Sequence, residues 1–102
     1  MNKNIKNVII TEVGTRDGFQ SEKKTIDTQD KILLIDDLVD AGFKRIEFSS
    51  FVSPKAIPQL ADADQVIKQV KRKSDVTMTA LVPNLRGAIR DVESKIDEIV
   101  VF

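Results

Sequence analysis

The feature that most constrains this 102-residue chain is its alternation of two periodicities. Val8 to Val13 is a short, β-branched apolar run closed by Gly14, and reads as a buried strand. A charged, Gly-containing loop follows over 14–26. Asp27 or Thr28 can then cap a helix whose first turn holds Asp30. Ile32, Ile35 and Val39, flanked by Leu34 and Leu38, form the wide apolar stripe that a helix packed on a sheet needs, and Gly42 is placed to stop it. Arg45 to Phe51 reads as a second strand, with Ile46, Phe48 and Ser50 on one face and Glu47 and Ser49 on the other. Pro54 and Pro58 mark a broken loop, and Ala63, Val66, Ile67 and Val70 keep helical spacing to the "KQVKRK" end. A strand over 76–82, a helix over 86–94 carrying Ile89 and Val92, and a strand opening at Ile96 complete the pattern. The order βαβαβαβ predicts an α/β fold: a parallel sheet joined by right-handed crossovers, with helices against it.

Composition removes several classes of function. Sixteen basic and sixteen acidic residues cancel, which gives no electrostatic reason to expect nucleic acid or an anionic membrane as partner. There is no cysteine, hence no disulfide and no thiol nucleophile. There is no histidine, hence neither the commonest general base nor the commonest transition-metal ligand. No apolar run approaches the roughly 20 residues of a membrane span. The first residues show neither a signal h-region nor an Arg- and Ser-rich leader, so a cytoplasmic setting is expected.

The chemistry collects at the strand ends, where parallel α/β folds bind ligands. The first end supplies Glu12, Arg16, Asp17 and Gln20; the second Glu47, Ser49 and Ser50; the third Asn84. These residues suit either ordinary loop caps and surface ion pairs or one site assembled from several strands. A Glu47 facing inward is costly unless paired, and Arg16 or a metal ion could pair it. Asp17 alone is one carboxylate, suited to Mg²⁺ or Mn²⁺ but short of a tight site. Gly14 and Gly18 have neither the Walker nor the dinucleotide-binding spacing. The "KRK" at 71–73 reads as a solvated helix end, Met78 as core, and Asp62 and Asp64 as first-turn helix acids.

Three stretches together resemble one family. "EVGTRDGFQSEK" is similar to the first-strand signature of hydroxymethylglutaryl-CoA lyases, members of a metal-dependent lyase and Claisen-synthase superfamily built on TIM barrels. "IEFSSFVSPKAIPQLADADQV" resembles that family's second strand and loop, and "LVPNLRG" its third strand end. The resemblance runs in order from about Val8 to Phe102. Related isopropylmalate and homocitrate synthases share the R-D-G-x-Q core, but the E-V-G lead and the F-V-S-P-K loop favour the lyase branch.

The resemblance implies a fold and a reaction. The fold is the N-terminal part of a (β/α)8 barrel, residues 1–102 making roughly three and a half of its eight βα units in a domain of about 250 residues. The reaction is a retro-Claisen cleavage of 3-hydroxy-3-methylglutaryl-CoA to acetoacetate and acetyl-CoA, with Mg²⁺ or Mn²⁺ as Lewis acid. By position, Asp17 is the implied metal ligand and Arg16 neutralises the thioester enolate oxygen. Glu47 supports the metal's water shell or Arg16, Gln20 and Ser50 line the substrate pocket, and Glu12 orients Arg16, with Asn84 supporting at the third strand end. Thr15 replaces the family's usual Pro and Phe19 its usual Leu, changes that bear on loop rigidity and acyl fit. The two histidines, the asparagine and the cysteine that the family adds from late strands have no counterparts here.

Three expectations follow. The first is a portion of a hydroxymethylglutaryl-CoA lyase that carries part of the site and is inactive alone. The second is a free-standing paralogue that binds an acyl-CoA or a partner without catalysis. The third is part of a related synthase or carboxyltransferase barrel. The bare apolar ending "IVVF" favours continuation into a larger fold. Strands without barrel neighbours are expected to self-associate through their edges or to fold loosely.

Overall fold

A computed structural model describes residues 7–101. Three parallel strands, β1 (Arg45–Ser50), β2 (Thr77–Leu81) and β3 (Glu98–Val100), lie in the order β1-β2-β3. Helices α1 (Thr28–Asp40), α2 (Ala63–Gln69) and α3 (Leu85–Glu93) alternate with them. The α/β alternation is therefore realised, with one change at the start.

The expected strand over 8–13 is reduced to a single parallel bridge between Glu12 and Ile46. Glu12 N–H donates to the Arg45 carbonyl at 3.0 Å, and Glu47 N–H donates to the Glu12 carbonyl at 2.9 Å. Val8, Ile9 and Ile10 are exposed rather than buried, at 76%, 82% and 65%. A parallel strand is held by neighbours on both sides and by cover over its faces. This run has β1 on one side only, among the described residues.

The core fills the space between the sheet and α1 and α2. Ile46, Phe48, Met78 and Ala80 from the strands, with Val82 just after β2, meet Ile32, Ile35, Val39, Val66 and Ile67 from the helices. Met78 is core, as its spacing implied. On α1 the Ile32–Ile35–Val39 stripe is buried, and Leu33 and Leu34 fall outside it. The helix ends at Ala41, and Gly42 takes φ +105°, the left-handed conformation that a C′ glycine adopts without a Cβ penalty. Its start differs from expectation, because Asp27 makes no side-chain cap. The Thr28 hydroxyl instead donates to Asp62 Oδ2 at 2.5 Å. Asp62 Oδ1 also accepts from the buried Lys31 ammonium at 2.6 Å, and Lys31 gives a second bond to the Gln59 carbonyl. Asp62 is therefore a tie between α1 and the loop before α2, which satisfies a cation that burial alone would penalise.

Helix α2 stops at Gln69, short of the "KRK" run. Val70 is already extended, and the backbone N–H of Lys71 is taken by Asp36 Oδ1 at 2.7 Å. The cations leave the helix for carboxylates elsewhere: Lys71 to Asp40 at 2.9 Å, and Arg72 to Asp97 at 3.2 Å. No helix among the described residues is long and apolar enough to cross a membrane.

Helix α3 turns its apolar residues outward. Leu85, Ile89 and Val92 are exposed, while Gly87 and Asp91 are buried. Asp91 is 3% exposed and its Oδ1 has no hydrogen-bond partner among the described residues. Burial pushes its carboxyl above the usual aspartate range. An acid whose proton is held more tightly in the folded state favours folding at low pH, and that contribution is lost as pH rises through the raised value. Asp91→Asn is therefore expected to raise the melting temperature at neutral pH. The advantage should shrink as pH falls toward the ordinary aspartate value, checked by thermal melts over that range.

Candidate active site at the strand ends

The chain leaves the Glu12 bridge and coils at once into a π-helical turn, Gly14–Gly18. The backbone N–H groups of Arg16 and Asp17 both donate to the Val13 carbonyl, at 3.1 and 2.8 Å. Gly14 donates its N–H to Glu12 Oε1 at 2.9 Å. A Cβ on Gly14 would lie 2.8 Å from that same oxygen, so glycine leaves room for the carboxylate to fold back. Thr15 is buried at 1% exposure, its hydroxyl directed at the Glu47 carbonyl at 3.5 Å. With Thr15 pinned inward, the next two side chains emerge over the end of β1.

Arg16 Nε donates to Glu47 Oε2 at 2.6 Å, and Arg16 Nη1 lies 3.4 Å from Asp17 Oδ1. The Glu47 side chain is 7% exposed, that of Arg16 21% and that of Asp17 67%. A nearly buried carboxylate thus holds a half-buried guanidinium, which in turn stands beside an open carboxylate. A guanidinium carries five N–H donors in one plane. Two of Arg16's three nitrogens are engaged here, and Nη2 makes no hydrogen bond among the described residues.

The face that holds Glu47 carries polar side chains on all three strands, with Leu81 and Val100 beyond them. Arg45 on β1 reaches across β2 to make a two-pronged ion pair with Glu98 on β3. Thr79 on β2 is in register with both Glu47 and Glu98, is fully buried, and its hydroxyl has no partner among the described residues. The Arg45 pair raises that guanidinium's pKa and holds the Glu98 carboxyl below its usual range, chiefly through the hydrogen bond.

A bulge corrects the expected facing of Ser50. Strict alternation puts Ser50 with Ile46 and Phe48, away from Glu47. The register shifts between Glu47 and Ser49, so that Ser50 pairs with Leu81, two residues beyond Thr79 in Glu47's own row. Ser50 Oγ donates to the Leu81 carbonyl at 3.1 Å.

The other singled-out residues are placed as follows. Glu12 was expected to orient Arg16; its carboxylate accepts from Gly14 N–H instead, because the turn's first amide has no other acceptor, and Glu47 takes the guanidinium. Gln20 and Phe19 are half-buried just after the turn. Asn84 is exposed and caps α3, its Oδ1 accepting from Gly87 N–H at 2.9 Å. It borders a cleft of about 380 Å³ between α3 and the loop after β1. There Arg90 stacks 5.1 Å over the Phe51 ring and pairs with Asp64 at 3.2 Å. Asp64 thus anchors α3. Sequence reasoning passed over Arg45, Thr79 and Gly87, and noted Thr15 only as a change from the family's usual Pro. Period-two alternation puts Arg45 on Glu47's face and could have found it; the burial of Thr15 and Thr79 has no local signal.

For a divalent cation, Asp17 is a suitable hard oxygen donor, open to solvent at a strand end. Glu47 is committed to Arg16. No group of three or more Asp, Glu, His or Cys side chains able to hold a metal exists among the described residues. The donor set therefore fits as one ligand of a larger shell, not as a complete site.

Comparison with known proteins gives a consistent picture. The HMGL-like family model matches residues 7–102. A 3-hydroxy-3-isohexenylglutaryl-CoA/hydroxymethylglutaryl-CoA lyase of Pseudomonas aeruginosa is 47% identical over 97 residues, which is 95% of this chain and 32% of that protein. The crystal structure of the Bacillus subtilis HMG-CoA lyase superposes with a TM-score of 0.90 at 49% identity, over 93% of this chain and 32% of its own. An HMG-CoA lyase of Acinetobacter baumannii, solved with coenzyme A and 3-methylmalate, gives a TM-score of 0.88 at 45% identity over 91% of this chain and 30% of its own. The chain spans about a third of the length of the relatives it matches. Its parallel sheet and helices correspond to the N-terminal part of the TIM barrel of those lyases.

Proposed function

This chain belongs to the HMGL-like family, and on that premise we propose that it forms the enolate- and metal-facing corner of a hydroxymethylglutaryl-CoA lyase and lacks turnover by itself. The observation that carries the reading is the Glu47–Arg16–Asp17 row: a buried carboxylate fixing a guanidinium that keeps free donors, next to an open carboxylate. In a retro-Claisen cleavage the substrate's hydroxyl loses its proton, the C–C bond breaks, and the electron pair moves onto the thioester as an enolate. Arg16 supplies fixed positive charge where that enolate oxygen develops. Glu47 holds the plane of the guanidinium, so that little reorganisation is needed as charge builds. Asp17 would hold a divalent cation, Mg²⁺ or Mn²⁺, whose chemistry when bound is Lewis-acid polarisation of substrate oxygens. Gln20 and Ser50 line the acyl pocket, and Glu12 acts at one remove by closing the turn that presents Arg16. An acyl-CoA is the substrate class, and a cytoplasmic setting belongs to the same reading.

Two assays test it. The 102-residue chain with Mn²⁺ and hydroxymethylglutaryl-CoA should release acetoacetate only at the background rate, and robust turnover would sink the incomplete-site reading. A chimera should then be made in which this chain replaces the matching N-terminal third of the Bacillus subtilis lyase. It should cleave the substrate, and Arg16→Gln within it should lower kcat by roughly 10²–10³, the loss typical for one oxyanion-stabilising group. A folded chimera indifferent to Arg16→Gln would refute the assigned role.

A further inference from the structure

Two arginines and two glutamates meet on one face of the sheet, and their pairing is selective. Arg45 and Glu47 stand two residues apart on that face of β1, and Glu98 stands on it in β3, across Thr79. Arg45 gives both terminal nitrogens to Glu98, with Nη2 to Oε1 at 3.2 Å, and makes no hydrogen bond to Glu47 among the described residues. Glu47 accepts from Arg16 at Oε2, and its Oε1 accepts no hydrogen bond among the described residues.

Of the two acids, Arg45 leaves the nearer one alone. Two residues along a strand span roughly 6.6 Å, whereas two strand spacings span roughly 9.6 Å. Glu47 is also the more buried acid, its side chain 7% exposed against 50% for Glu98. A desolvated carboxylate attracts a guanidinium more strongly than a solvated one does. Arg45 is thus a standing competitor for Glu47. It lies at the start of β1, whereas Arg16 lies over its end. A Glu47 shared between them would be drawn down the strand, and the 2.6 Å bond that fixes the Arg16 plane would lengthen.

We propose that Glu98 is a positioning residue: by occupying Arg45 it reserves the Glu47 carboxylate for Arg16. The Thr79 hydroxyl between the two acids is not used, and Glu98 is the one side chain that holds Arg45 among the described residues. In an ordinary structural ion pair, losing either partner costs alike. Here the two losses differ in kind. Without Glu98, Arg45 is released onto Glu47. Without Arg45, the half-exposed Glu98 keeps its water and nothing disturbs Arg16. Where turnover is concerned, the proposal rests on the enolate role given to Arg16; the competition between charges does not.

Urea unfolding of the chain reads that competition without any turnover. Arg16→Met should lower the midpoint in the native background. In a Glu98→Gln background the same change should lower it by less than half as much, because Arg45 then satisfies Glu47. In an Arg45→Met/Glu98→Gln background the full drop should return. Glu98 is half exposed, so its substitution leaves the core intact. An equal drop in all three backgrounds would overturn the proposal. The chimera with the Bacillus subtilis lyase gives a second reading. There Glu98→Gln should lower kcat roughly 10-fold with KM little changed, within the roughly 10²-fold that a misplacement of about 1 Å can cost. Arg45→Met should leave kcat as it was, and adding it to Glu98→Gln should restore the rate. Equal losses from the two single variants, or no rescue, would overturn the proposal. A chimera indifferent to Arg16→Gln fails the catalytic reading instead, and the urea series then decides this one.

Discussion

Arg16→Met is expected to lower the stability of the folded chain by about 2 kcal/mol, read as a fall in the urea midpoint at constant slope. The substitution keeps most of the side chain's length and apolar stem. It leaves the Glu47 carboxylate, 7% exposed, without the 2.6 Å bond that compensates its desolvation. Breaking a fully buried pair costs about 3–5 kcal/mol. Arg16 is 21% exposed, and solvent screening brings the figure down. The double variant Arg16→Met/Glu47→Met should recover more than half of the loss, because no buried charge is then left alone. If the double variant is as unstable as the sum of both single changes, the pair is not coupled in the way its geometry implies.

Gly87→Val is expected to have the largest effect, about 3 kcal/mol or outright failure to fold. A Cβ at position 87 would overlap the Phe51 carbonyl oxygen, and its next contacts are the Phe51 carbonyl carbon and Cβ, each at 3.4 Å. Backbone faces backbone there, so neither side can yield by a rotamer change. The only relief is to move the first turn of α3 off the end of β1. That movement would break the Asn84 cap and the Arg90–Asp64 tie together. Gly18→Ala, where nothing lies within 4 Å of an added Cβ, is the control and should melt close to the parent. Equal loss in both variants would show that chain flexibility, not close approach, governs position 87.

The two predictions separate what the site needs from what the scaffold needs. Arg16 and Glu47 act across 31 residues of sequence, and their pairing stabilises the fold and prepares the chemistry at once. Gly87 touches no reacting group. It sets how closely α3 approaches the strand end that carries Ser50 and Phe51.

Much of this was legible before any coordinates. The alternation of periods two and three to four placed α1 and the strands near 45–51, 76–82 and 96–102 within a residue or two of where they lie, apart from Phe102, which is outside the described residues. Local stereochemistry was enough for Gly42, because only glycine takes the left-handed turn at low cost. The "EVGTRDGFQSEK" stretch led to the family, and an inward Glu47 was expected to need a partner, with Arg16 and a metal ion both open.

What failed did so where neighbours decide. Val8, Ile9 and Ile10 have the composition of a buried strand, but burial depends on what lies alongside, and among the described residues β1 lies on one side only. The same holds for α3, whose apolar stripe is plain in sequence and whose outward direction is not. Ser50 was assigned to the wrong face because one extra residue at the bulge inverts every later side chain. By itself, then, the sequence determined the elements, their parallel order and the family, since each follows from short-range periodicity or a contiguous motif. Tertiary structure alone decided which carboxylate holds Arg16, which threonines are buried, and which apolar faces remain uncovered, because each of these is a contact between residues far apart along the chain.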